Sequence, residues 1–205
     1  MAAKKKSLHA AERDSPRVQQ ARTNYREMIG SLEVSRLKFV DESGVNLAMT
    51  RRYGRAPKGV RVVGAVPQNY GQQVALLGAM SLAGVGAVMT VEGATDAEVF
   101  RAYVKHVLGP TLVPGDIVVL DNLSVHKVSG IQQMLARRRI RLRYLPPYSP
   151  DMAPIESCWS KLKTHLRTAQ ARARDTLDAA ITQGLATITP ADARGWFTHC
   201  GYAIQ

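Results

Sequence analysis

Three acidic residues stand out by their neighbours. Asp41 closes the apolar run LKFV, Asp121 closes IVVL, and Glu156 lies just inside the stretch PIESCWSKLK. An aspartate that ends a strand is an ordinary turn starter when it stands alone. Two of them, on strands able to lie side by side, place their carboxylates a few ångströms apart, where they repel each other unless a cation lies between them. Hard oxygen donors of this kind select Mg²⁺ or Mn²⁺. With Ala153 as the residue before the helix, Glu156 takes the acidic place of a capping box, but Ala153 has no side-chain oxygen to complete such a box. The structural explanation for Glu156 is therefore weakened, and a ligand role gains.

The elements that must position these acids are legible in outline. Residues 1–15 are polar and charged and are expected to be a loose tail. PRVQQARTNYREMIG reads as a helix, with Val18, Ala21, Tyr25 and Met28 as its apolar stripe and Gly30 as its stop. A short strand, Leu37 to Val40, runs into Asp41. The segment from Thr50 to Asn69 is expected to be a basic hairpin or loop. VALLGAMSL and GAVMTVEG, separated by Ala83-Gly84-Val85, form a β-hairpin. Thr95 or Asp96 caps a helix that ends at Gly109-Pro110. DIVVLD is a strand buried on both faces. A short helix over 129–138, the strand RLRYLP and the stiff loop PPYSPDMAP follow. Pro154 then opens a long helix, as proline does where its missing N–H had no partner. Asp175 to Gly201 is a helical tail. The fold class is α/β: a mixed sheet, an antiparallel hairpin plus parallel strands, flanked by helices.

Composition narrows the partners. The chain has 205 residues with 28 Lys and Arg against 16 Asp and Glu, a formal net charge of +12. Residues 1–38 hold nine Lys and Arg against four acids, and Lys127 to Arg174 hold eleven more. Such an excess favours a polyanion, nucleic acid before membrane. Cys158 and Cys200 stand far apart, which excludes a disulfide framework and a zinc site of usual spacing. The basic start MAAKKKSLHAAERDSPR is not followed by an apolar stretch, so it is not a signal peptide, and no run reads as a membrane span. The expected location is the cytoplasm, associated with the nucleoid.

The stretches FVDESG, MTRRYGRAP, VPQNYG, GDIVVLDNLSVHK and LPPYSPDMAPIESCWSKLK resemble the DDE transposases of bacterial insertion sequences related to the mariner superfamily. The resemblance runs from Val34 to Tyr202 and implies a ribonuclease-H-like fold. The family's metal-binding acids fall on Asp41, Asp121 and Glu156, with thirty-four residues between the last two. The expected organisation is a basic tail and helix over 1–33 and a catalytic domain over 34–205. Two departures are visible. Ala153 stands where the family usually has Asn, and Asp151 is expected to cap the helix from further out. The resemblance also implies amino-terminal helix-turn-helix modules, so recognition of the element ends is expected to be partial, lost, or supplied by a separate polypeptide that carries them.

The implied chemistry is phosphodiester cleavage at transposon ends followed by strand transfer into target DNA, with two Mg²⁺ ions, replaceable by Mn²⁺, held by the three carboxylates. Expected partners are double-stranded DNA, both transposon ends and target, and a second copy of the chain, as a homodimer on DNA; no membrane is involved. Candidate DNA contacts are Arg51, Arg52, Arg55 and Lys58 on the basic segment, His126 and Lys127 after Asp121, and Lys163 on the Glu156 face of its helix. Ile155, Trp159, Leu162 and Leu166 on the opposing face read as core. The alternatives are a stand-alone ribonuclease-H-like endonuclease and a non-catalytic remnant that regulates a full-length transposase.

Overall fold

The computed structural model describes residues 9–71, 73–122 and 130–204. Among these residues, five strands form one sheet: β1 (Leu37–Val45), β2 (Val74–Ser81), β3 (Gly84–Glu92), β4 (Ile117–Leu120) and β5 (Arg141–Tyr144). Their order is β3-β2-β1-β4-β5. The β1–β2 and β2–β3 pairs are antiparallel, and β1–β4 and β4–β5 are parallel. The mixed sheet expected from the sequence is thus present, with the longest strands on its antiparallel side.

Among the described residues, six α-helices flank it: α1 (Pro16–Gly30), α2 (Ala97–Tyr103), α3 (Ile131–Arg137), α4 (Pro154–Ala169), α5 (Arg174–Ala186) and α6 (Pro190–His199). Side chains alternate across a strand, and that alternation divides the core in two. Leu37, Phe39, Ile117 and Val119 pack with Trp159 and Leu162 of α4, Ile181 of α5, Phe197 of α6 and Tyr25 of α1. Val40, Val118 and Leu120 face the other way, against Phe100 and Tyr103 of α2 and Leu135 of α3. All four residues of β4 are buried, as its unbroken apolar run required. Asp41 and Asp121 share the parity of Phe39 and Val119 and therefore belong to the α4 face.

Local chemistry fixes the helix ends. Asp96, one of the two expected caps, accepts from the Glu98 and Val99 amides at 2.9 and 2.8 Å. Its helix continues as a π-helical turn over Val104–Leu108 and closes in a 3₁₀ turn at Gly109–Thr111. Thr189 caps α6 by accepting from the Asp192 amide, while Asp192 accepts from the Thr189 amide in return.

Several expectations need correction. Asp41 does not end β1, which continues to Val45, because antiparallel pairing with β2 supports the backbone as far as Val45↔Val74. The buried stripe of α1 is Val18, Arg22, Tyr25 and Ile29, one position round from the apolar stripe of the sequence. The buried arginine is what turns it. The tail after Asp175 is two helices, divided where Thr187 and Ile188 leave α5 before Thr189-Pro190 opens α6. Residues 9–15 are not a loose tail: Ala11–Asp14 forms a 3₁₀ turn, and the Arg13 guanidinium bonds Asp151 at 3.1 Å. The basic segment from Thr50 takes the loop form, without strand, and its side chains are exposed.

Asp151 does not cap α4, whose N-cap Ala153 makes no side-chain bond. It is held by Arg22 instead. Arg22 is 1% exposed and donates to both Asp151 carboxylate oxygens, at 3.0 and 2.7 Å, and to Ser149 Oγ at 2.7 Å. These bonds hold the Asp151 carboxyl below the ordinary aspartate value of 3.8. A carboxylate with a lowered folded-state pKa contributes stability that is complete above the unfolded value and is lost as pH falls through the folded one. Asp151→Asn should therefore lower the unfolding free energy by about 1–2 kcal/mol at neutral pH, a charged hydrogen bond discounted for partial exposure. In urea titrations the gap to wild type should close as pH falls below the ordinary aspartate value. A gap that persists unchanged in acid would show that the carboxylate charge is not what holds the loop.

Candidate active site

The parallel register Leu37↔Ile117 to Phe39↔Val119, carried on along both strands, sets Asp41 beside Asp121. Asp121 leaves the sheet directly after β4, as expected for a functional group at a strand's carboxyl end. Glu156 comes from the first turn of α4, whose start is fixed by Pro154 and by the loop that Arg22 clasps. All three acids line one pocket of about 440 Å³, with Arg17 of α1, Asn122, and the Leu145–Pro150 wall. The three acids singled out in the sequence are therefore brought together.

Their electrostatics are those of crowded carboxylates. Burial pushes the Asp41 carboxyl up to about 6, and the negative charges of Glu156 and Asp121 add to the rise. Glu156 is also raised, by burial and by Asp121, against the opposing pull of Lys163. Among the described residues, no three acidic, histidine or cysteine side chains close on a single point as a finished ligand group. The pocket nonetheless offers a donor set of carboxylate oxygens, with no thiol or imidazole among its described lining residues. That chemistry fits a hard divalent cation, which would relieve the repulsion.

Trp159 is the residue that sequence reasoning undervalued. It is 2% exposed and packs in the core as expected, but its indole Nε1 also donates to Asp41 Oδ2 at 3.0 Å. That bond requires Gly78, which stands opposite Asp41 in the β1–β2 register. A Cβ on Gly78 would lie 2.8 Å from the indole ring, too close for the ring to cross the strand there. The β2–β3 register slips at the same place, between Leu77 and Ala79. Arg22 was missed as well; its only signal was its place at the helical spacing between Val18 and Tyr25. Tyr148, in the pocket wall, has φ 54°, a left-handed backbone that is unusual for a bulky residue.

The expected basic contacts divide. Arg51, Arg52 and Lys163 line a second cleft of about 460 Å³, joined by Arg167 and Tyr70. Arg51 is pinned to α4 by a 3.1 Å bond from Nε to Thr168 Oγ1. Arg55 and Lys58 lie further out on the exposed loop and do not line that cleft. His126 and Lys127 fall outside the described residues. Lys161, next to Lys163, is engaged structurally, with Nζ 2.7 Å from Asp192 and 2.9 Å from the Thr187 carbonyl.

The sheet order and the two-sided helical cover define a ribonuclease-H-like fold. Residues 36–178 match the family model described as DDE superfamily endonuclease, and the chain belongs to that family. The fold is similar to that of the Mos1 transposase in its paired-end complex with the left transposon end, at TM-score 0.71 and 16% identity, over 97% of this chain and 62% of that one. The mariner Mos1 paired-end complex with Mg gives TM-score 0.72 at 15% identity, over 98% of this chain and 65% of that one. The catalytic domain of Mos1 mariner transposase alone gives TM-score 0.60 at 14% identity, over 97% and 98%. The chain thus spans about three-fifths of the first of these and nearly the whole of the isolated catalytic domain. No curated protein sequence matches it. Among the described residues, no helix is long and apolar enough to cross a membrane.

Two outcomes follow from this geometry. Trp159→Phe keeps the packing but removes the donor that orients Asp41; it should raise the Mg²⁺ concentration for half-maximal DNA nicking by about 10- to 100-fold. An unchanged metal requirement would make the indole bond incidental. The raised Asp41 pKa makes its contribution to stability complete below 3.8 and lost as pH rises through about 6. A divalent ion competes with that proton, so the Mg²⁺-induced rise in Tm should be larger at about pH 7.5 than at about pH 5. Equal rises at both pH values would remove Asp41 from the ion's site.

Proposed function

We propose that this chain is the catalytic domain of a DNA transposase, which cleaves phosphodiester bonds at transposon ends and joins the freed 3′ ends to target DNA. The observation that carries this reading is the single pocket on a ribonuclease-H-like sheet into which Asp41, Asp121 and Glu156 all project. Asp41, Asp121 and Glu156 are the residues that would hold two Mg²⁺ ions, with Mn²⁺ as a substitute; the Mos1 relatives were solved with Mg and with Mn. When bound, such ions supply activation of the attacking hydroxyl and stabilisation of the leaving 3′ oxygen. Trp159 fixes the orientation of one carboxylate, and the Pro146–Pro150 wall with its clasp at Arg22 fixes where Glu156 enters. The catalytic domain covers 34–205, and the segment 1–33 is its basic lead.

The substrate is double-stranded DNA. The cleft of Arg51, Arg52 and Lys163 with Arg167 supports a grip on the phosphate backbone, since its described lining residues include four cations and no acid. Arg55 and Lys58 extend that positive surface outward, and His126 and Lys127, which follow Asp121 in sequence, are further candidate DNA contacts. A homodimer is supported by the exposed apolar residues of the same loop, where Tyr53 is 90% and Val63 85% exposed alongside Val60, Val62 and Val66. A polypeptide carrying helix-turn-helix modules would supply recognition of the transposon ends, and the place of action is the cytoplasm at the nucleoid.

Asp121→Ala should bind duplex DNA as wild type does while Mg²⁺-dependent nicking falls to background, read on a gel with an element-end duplex. Nicking at the wild-type rate by that variant would sink the assignment. Joining of pre-cut ends to a target plasmid by the wild-type chain separates a transposase from an endonuclease that only cuts.

A further inference from the structure

Resting on that reading of the pocket, we infer that α1 supplies a substrate-binding residue to the active site: Arg17 grips the phosphate backbone of the DNA strand entering the acidic pocket. Arg17 lies outside residues 36–178, the part of the chain that matches the family model. Yet it lines the same pocket as Asp41, Asp121 and Glu156 and is the one cationic side chain among the described lining residues.

Three arginines of the amino-terminal segment face the loop that leads into α4, and their partners separate them. Arg13 bonds Asp151 at 3.1 Å. Arg22, buried, takes both oxygens of the same carboxylate and the hydroxyl of Ser149. Arg17 has neither a carboxylate partner nor a side-chain hydrogen bond among the described residues, and it is exposed. A cation that lines the pocket of three crowded carboxylates without forming an ion pair to any of them is placed to meet a charge that arrives from outside. The arriving group in a nuclease pocket is a phosphodiester, and a guanidinium matches its two free oxygens with a fork of N–H donors.

The helix that carries Arg17 is rigidly seated. Val18, the next residue, is 1% exposed, and Tyr25 and Ile29 continue the buried face. The Tyr25 and Tyr202 hydroxyls lie 3.1 Å apart, and Tyr202 donates to the Met152 carbonyl at 2.7 Å. Arg22 and Tyr25 thus tie α1 to both ends of the Ser149–Met152 segment, and Ser149 and Pro150 are themselves pocket wall. The backbone at Arg17 is therefore fixed relative to Glu156 through two short links, so the guanidinium reaches a phosphate by side-chain rotation alone, without movement of the helix.

The test uses the full chain with Arg17→Ala, Arg17→Lys and, as a control on an exposed arginine of α6, Arg194→Ala. One readout is nicking of a supercoiled plasmid in Mg²⁺ or Mn²⁺. The other is fluorescence anisotropy of a labelled random-sequence duplex in Mg²⁺ across a salt series. Arg17→Ala should lower kcat/KM by about 10- to 100-fold, as loss of a charge-assisted contact does. It should also flatten the plot of log affinity against log salt by about 0.9, as expected for one lost phosphate contact. Its Tm and its Mg²⁺ requirement should stay at wild-type values, which a merely structural role would not allow. Arg17→Lys should restore the salt slope and only part of kcat/KM, because a point charge replaces a fork. Arg194→Ala should change neither. Wild-type kcat/KM and an unchanged slope for Arg17→Ala would overturn the inference. If the wild-type chain nicks with neither ion, the proposed function fails, and the salt slope alone then decides Arg17: a flattened slope supports it and an unchanged one refutes it.

Discussion

Like charges held close together govern this molecule. Three carboxylates share one pocket, and the burial and mutual repulsion that raise Asp41 to about 6 would drive flexible side chains apart. They stay together because each is carried by an element that cannot move away. Asp41 and Asp121 ride on adjacent parallel strands at the centre of the sheet, and Glu156 rides on a helix whose apolar face is in the core. In the proposed function a hard divalent cation would turn this repulsion into binding energy.

Helix α4 joins the two demands. Its buried residues Ile155, Trp159, Leu162 and Leu166 weld it to the sheet and to α5 and α6, while Glu156 and Lys163 on the other side face the pocket and the basic cleft. The Trp159 indole crosses between these roles, since one ring packs the core and its N–H reaches Asp41. Gly78 makes that crossing sterically possible. A change at either residue, distant from any substrate, acts on the orientation of a carboxylate.

The amino-terminal helix closes the site from the other side. Arg22 enters the interior because Asp151 and Ser149 supply the hydrogen bonds that a buried guanidinium needs. The loop that precedes Glu156 is thereby tethered to a segment more than a hundred residues earlier in the chain. Relatives of 14–16% identity share the fold, which fits a scaffold set by sheet parity and burial more than by particular side chains.

Much of this was present in the amino-acid order itself. Apolar runs ending in aspartate, a proline-opened helix with glutamate in its first turn, the Asp96 cap and the basic excess depend on near neighbours, and near neighbours determine local conformation and net charge. The mixed sheet and the meeting of the three acids were legible because strand alternation and motif spacing restrict how such pieces pair. Other features required the folded chain. That β1 runs on through Asp41 was decided by pairing with β2. That Arg22 is buried and Asp151 occupied was decided by contacts across 129 positions. That the Trp159 indole serves a carboxylate was decided by a glycine on a neighbouring strand. These are long-range contacts between groups whose types are individually unremarkable, and no local pattern encodes them.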